Sequence, residues 1–125
     1  LRGLGPEPWQ VLRILAIDPA CGAGMFLEST AVQIADAYLA RAIGDPADQL
    51  THLRPKVLPE VITSCIHGVD IDPVAVDLSR LTLSLLTGGE LAPEDLAGHV
   101  AVGNVLEGFL PPAYIEAGGG PVIPP

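Results

Sequence analysis

Positive charge is scarce in this chain: its 125 residues hold 6 Lys and Arg against 15 Asp and Glu, a net charge of −9. An acidic surface repels phosphate backbones. These residues are therefore not expected to grip nucleic acid by themselves; any such affinity should come from segments outside the chain. Aromatics make up only 4%, so the core must be aliphatic. There are two cysteines, Cys21 and Cys65, with no C-x-x-C pair and no metal-ligand spacing. The expectation is two reduced, buried thiols and no metal site. No run approaches the ~20 consecutive apolar residues of a membrane span. The N-terminus also lacks the basic-then-apolar pattern of a secretory signal. A cytoplasmic chain without a membrane partner is expected.

What is present is enough apolar material for a core: 49% hydrophobic residues and a mean hydropathy of +0.44. That fits one small domain, or a piece of a larger protein, and excludes bulk disorder. Gly (14) and Pro (13) are abundant for the length, and they cluster at turns and near the C-terminal end.

Residues 1–12 are rich in Gly and Pro and read as a lead-in. Val11 to Ile17 is a short apolar run ending in Asp18-Pro19, which predicts a buried parallel-type strand stopped by the proline. From Gly24 to Ala42 the apolar residues Leu27, Ala31, Ile34 and Tyr38 recur at helical steps, and Gly44-Asp45-Pro46 ends that helix. Residues 45–56, with two prolines, read as a loop within an insertion at about 44–64, followed by a short helix over 58–65. "CIHGVDID" (65–72) predicts a second strand ending at Asp70. Asp72-Pro73 then starts a helix, with Asp72 as its cap. On that helix Val74, Leu78, Leu81 and Leu85 form one stripe, with Asp77, Arg80, Ser84 and Thr87 opposite. "HVAV" (99–102) predicts a third strand, followed by Gly103-Asn104. Residues 107–125 show no periodicity and read as a Gly/Pro-rich tail or truncated loop.

Alternating strands and helices predict an α/β domain with a parallel sheet of about three strands. Right-handed crossovers place the three strand ends on one edge, where such sheets bind ligands. Those ends carry Asp18, Asp70 and Asn104. Gly22 and Gly24 allow close backbone approach and positive φ. The dinucleotide fingerprint G-x-G-x-x-G, however, has Leu27 in place of its third glycine. A carboxylate at Asp18 repels a pyrophosphate and attracts an ammonium group. Asp70 can accept from both hydroxyls of a ribose; it lies 48 positions after Gly22, and the insertion accounts for the distance. Asn104 offers a donor and an acceptor suited to the edge of an adenine. An ammonium group, a ribose and an adenine without phosphates describe S-adenosylmethionine.

"DPACGAG-x-FL" (18–27), "GVDIDPVAVDLSRLTL" (68–83) and "GNVL" (103–106) resemble the N6-adenine DNA methyltransferases of restriction-modification and phage-defence systems. The likeness is greatest to the large single-chain kind and covers about residues 14–106. It implies a partial Rossmann-like class I methyltransferase fold. It also implies that Asp18, Pro19, Ala20, Cys21, Gly22 and Gly24 line the methionine part of the cofactor. Asp70 would hold the ribose, Ile71 would pack on the adenine ring, and Asn104, where many relatives carry Asp, would meet the adenine amino group. The reaction implied is in-line displacement at the sulfonium methyl by the N6 of a flipped adenine.

The family performs that step with an Asn/Asp-Pro-Pro-Tyr/Phe loop after a fourth strand. The nearest string, "LPPAY" (110–114), has Leu for Asn and an extra Ala, and it reads as a proline-rich loop rather than a catalytic one. The chain is accordingly expected to hold the cofactor half of a site, no catalytic residue and no DNA-recognition region. DNA and possible restriction or defence-system subunits would be partners of the longer protein. Two other readings stay open: an NAD-binding segment of an oxidoreductase, and a non-catalytic interaction domain.

Overall fold

The computed structural model describes residues 4–44 and 50–122. A one-turn helix α1 (Pro8–Val11) precedes strand β1 (Ala16–Asp18), helix α2 (Met25–Ile43), helix α3 (Leu50–Cys65), strand β2 (Ile66–Asp70) and helix α4 (Pro73–Leu86). A 3₁₀ turn (Pro93–Leu96), strand β3 (Val100–Val102), a second 3₁₀ turn (Val105–Glu107) and helix α5 (Pro112–Glu116) follow. The strands form one parallel sheet in the order β1-β2-β3. Asp18 pairs with Gly68, and Asp70 pairs with Val102. The chain is thus α/β with a three-stranded parallel sheet flanked by helices, and all three strands point their carboxyl ends toward one edge. No described helix is long and apolar enough to cross a membrane.

Alternation along β2 divides the sheet into two faces. Ile66 joins an aliphatic core with Leu27, Ala31 and Ile34 of α2, Leu58, Val61 and Ile62 of α3, and Val76 and Leu83 of α4. His67 points the other way. Its ring stacks on His99 at 5.4 Å and meets Tyr114 of α5 edge-on at 5.3 Å. His67 Nδ1–H donates to the Ala16 carbonyl at 3.2 Å. Burial pushes both imidazoles below their ordinary value of 6.5, because the charged form would lose its hydration there.

Four predicted features come out differently. The first strand is shorter than Val11–Ile17, because Pro8 starts a helical turn that takes Val11 into the core. Residues 50–56 are not a loop: α3 runs continuously from Leu50 to Cys65, through Pro55 and Pro59. Each proline removes one helical N–H, but Leu58, Val61, Ile62 and Cys65 recur at i, i+3, i+4 and i+7 and are all buried. Their burial outweighs the lost hydrogen bonds. The rest of the predicted loop, 45–49, lies outside the described residues.

The third difference is α4, whose more apolar stripe, which amphipathicity alone would turn to the core, faces solvent. Val74, Leu78, Leu81 and Leu85 are exposed, while Val76, Ser79, Leu83 and Ser84 are buried. The fourth is the tail. Pro112 occupies the first turn of α5, and the Tyr114 ring is buried with its hydroxyl donating to Gly120 O at 3.1 Å.

Candidate functional site

The turn after β1 builds one wall of the site. Asp18 Oδ1 accepts from Ala20 N at 3.0 Å, a short-range bond that bends the chain off the strand. Cys21 N donates to Val69 O at 2.9 Å, which lays the turn across β2. Gly22 and Gly24 both take left-handed φ, +52° and +90°, and a side chain would strain either. Gly24 then caps α2. Gly68 is what lets this crossing happen. A Cβ there would lie 2.9 Å from Leu27 Cδ1 and 3.1 Å from Cys21 Cβ.

α4 fixes the turn from the other side with two hydroxyls. Ser79 Oγ donates to Gly22 O at 2.6 Å, and Thr82 Oγ1 donates to Ala23 O at 3.0 Å. The sequence reading missed both. For Ser79 the signal is a second helical stripe, Val76-Ser79-Leu83-Leu86, which competes with the more apolar one and puts a small hydroxyl opposite the glycines.

Asp70 is the centre of the network. Its Oδ1 accepts from Asp72 N at 2.9 Å and its Oδ2 from Gly22 N at 3.0 Å. These amides, that of Asp72 foremost and then that of Gly22, hold the carboxyl below its usual range, so it is ionised at neutral pH. Asp70 thereby ties the first turn to the end of β2, and each oxygen keeps lone-pair capacity for a further donor. Asp72 caps α4 by accepting from Val74 N at 2.9 Å. At the end of β3, Gly103 N donates to Asp70 O at 3.0 Å, and Asn104 Oδ1 accepts from Leu106 N at 2.9 Å. With its oxygen so engaged, the Asn104 amide nitrogen is the donor left without a hydrogen bond among the described residues.

Between these turns lies a cleft of about 660 Å³ lined by Pro19, Ala20, Asp70, Ile71, Gly103, Asn104, Val105, Leu106 and Val122. Its size is that of small-molecule sites. Of the residues predicted from sequence, Pro19, Ala20, Asp70, Ile71 and Asn104 meet here. Asp18, Cys21, Gly22 and Gly24 do not line the cleft; they shape the turn behind it. Leu106 ends the Gly-Asn-Val-Leu motif, whose pattern assigns it no role, and Val122 has no sequence signal because it lies in the aperiodic tail.

Neither thiol is poised for chemistry. Burial raises the Cys21 thiol against the lowering effect of the Ser79 hydroxyl, and pushes that of Cys65 up to about 12. Among the described residues there is no group of three His, Cys, Asp or Glu side chains placed to hold a metal ion.

No protein-family model, curated protein or solved structure matches this chain.

Proposed function

We propose that the chain is the S-adenosylmethionine-binding part of a DNA adenine-N6 methyltransferase. The observation that carries this reading is the make-up of the cleft: one ionised carboxylate, one amide, apolar walls and no cationic side chain. A pyrophosphate finds no counter-charge there and meets Asp70 instead. A nucleoside carrying an ammonium and a sulfonium suits the same surroundings.

Asp70 would accept from the ribose hydroxyls with the lone pairs its backbone partners leave. Ile71 and Leu106, 71% and 83% exposed, offer apolar surface to a flat base, whose burial stabilises binding by about 25 cal/mol per Å². The Asn104 amide nitrogen would donate to a ring nitrogen of that base. The Pro19–Ala20 end would take the methionine part, with the Asp18 carboxylate behind it attracting the ammonium group. Bound there, adenosylmethionine would supply a methyl group activated by the positive sulfur.

The acceptor side of the reaction needs groups this chain does not offer. It holds no Asn/Asp-Pro-Pro-aromatic sequence. The ring of Tyr114 in "LPPAY" packs against His67 and is closed to a base. DNA binding, base flipping and any restriction or defence subunits would involve other parts of a longer protein. The 125 residues alone should bind cofactor and methylate nothing.

Isothermal titration with adenosylmethionine and with NAD tests the proposal. Binding of the first and not the second supports it. Binding of NAD alone would make the chain a dinucleotide-binding segment, and binding of neither would leave an interaction domain.

A further inference from the structure

Val122 reaches the cleft from the tail of the chain, and one side chain holds it there. α5 ends in a Schellman cap: Gly118 takes φ +91°, its N–H donates to Ile115 O, and that of Gly119 donates to Tyr114 O, both at 2.9 Å. The cap turns the chain back over the Tyr114 ring, and a Cβ at Gly119 would fall on that ring. Tyr114 is itself anchored. Its ring is buried and meets His67 of β2 edge-on, and the residue before it, Ala113, donates its N–H to Gly98 O at 2.9 Å. From this anchored position the Tyr114 hydroxyl donates to Gly120 O at 3.1 Å. Among the described residues this is the one hydrogen bond that residues 120–122 make.

Two features make that bond decide where Val122 sits. Pro121 fixes its own φ and restricts Gly120 before it, so a held Gly120 carbonyl carries its constraint on to Val122. Val122 is also only half-buried. With Val105 it lines the cleft on one side and, on the other, a second cavity of about 430 Å³ whose walls among the described residues include Leu110, Ile115 and Pro121. A side chain between two cavities has fewer partner atoms than one in a core, and packing alone does not fix it. Residues 118–122 thus form a strap with one latch. We infer that Tyr114 is a positioning residue for the cleft: its hydroxyl latches the strap and keeps Val122 in place as the tail-side wall. The effect on a ligand rests on the reading of the cleft as the adenosylmethionine site; the latch itself does not.

Tyr114→Phe keeps the buried ring and removes the latch. Heteronuclear NOE measurements on the ¹⁵N-labelled full chain test it without any ligand. The values at Gly120 and Val122 should fall in Tyr114→Phe, while those at Ile71 and Asn104 stay as they are. Unchanged values at Gly120 and Val122 would overturn the inference, whatever the cleft binds. Calorimetry with adenosylhomocysteine tests the wall. Tyr114→Phe and Val122→Ala should each weaken binding about two- to tenfold, and the double variant should bind no more weakly than Val122→Ala, because both changes remove the same wall. Losses that multiply in the double variant would mean that the hydroxyl acts by another route and would overturn the inference, as would full affinity in Tyr114→Phe. Binding by neither the native chain nor the variants would sink the cofactor reading alone, and the NOE values would still decide the latch.

Discussion

α2 and α4 flank the same glycine turn and use their apolar residues in opposite ways. α2 buries Leu27, Ala31, Ile34, Ala35 and Leu39 and turns Asp36, Gln33 and Arg41 outward or to the rim. α4 buries a mixed stripe that includes Ser79, Ser84 and Thr87 nearby, and shows its leucines to solvent. The reason lies in what each helix rests on. α2 sits against the aliphatic face of the sheet and α3. α4 adds Val76 and Leu83 to that core but also faces backbone: the part-buried carbonyls of Gly22 and Leu91 accept from Ser79 and Ser84, and the exposed Ala23 carbonyl accepts from Thr82. A buried carbonyl left without a donor is destabilising by about 1–3 kcal/mol. That is comparable to the gain from burying one more aliphatic side chain, so hydroxyls win the inward positions. Periodicity says that a helix has an apolar stripe; it does not say which way the stripe faces.

The strongest way to break this contrast is to truncate one leucine on each helix. Leu27→Ala, in the close-packed core, should lower unfolding free energy by about 2–5 kcal/mol. Leu81→Ala should change it by no more than about 0.5 kcal/mol. Chemical denaturation of both variants checks this, and equal losses would mean that the apolar stripe of α4 is buried after all.

Two substitutions sharpen the role of backbone packing. Gly68→Ala should destabilise by about 1–3 kcal/mol, because its Cβ meets Leu27 of α2 and Cys21 of the turn. Ser79→Ala should lose about 1–3 kcal/mol by orphaning the Gly22 carbonyl. It should also weaken adenosylmethionine binding, since the same turn positions Asp70. A calorimetric titration showing full affinity in a destabilised Ser79→Ala protein would separate the turn from the cleft.

The opposite face of the sheet adds a pH dependence that α2 and α4, which contain no histidine, do not share. His67 is buried and His99 partly buried, and both are held below 6.5 in the folded state. The unfolded chain therefore binds more protons at low pH. Stability is full above about pH 6.5 and falls as the pH drops below it. Thermal melts between pH 7.5 and 5 should show this slope, and His67→Gln should flatten it. A small effect is expected as well on the outer side of α2, where Arg54 of α3 pairs with Asp36 through two bonds of 2.8 and 2.9 Å, about a third exposed. Arg54→Ala should be destabilising by no more than about 1 kcal/mol.

Much of the site was legible from sequence because strand ends announce themselves. Asp18-Pro19 and Asp72-Pro73 punctuate the chain, and Gly-Asn follows the third strand. What was not legible depended on tertiary context. Pro55 and Pro59 argued for a loop, yet four buried aliphatics hold α3 together through them. Val11 looked like strand, but Pro8 and the core claim it for a helical turn. Asp18, Cys21, Gly22 and Gly24, expected to line the methionine part of the cofactor, build the turn behind the cleft with their side chains and backbone. Leu106 and Val122 enter the lining only because the chain folds back after β3.

We propose above all that the cleft at the three strand ends holds adenosylmethionine. Titrating ¹⁵N-labelled protein with adenosylhomocysteine, the stable product form, tests it residue by residue. Amide shift changes are expected to concentrate at residues 19–22, 70–72 and 103–106 and to be abolished by Asp70→Ala. Changes confined to other residues, or the same changes in Asp70→Ala, would contradict it.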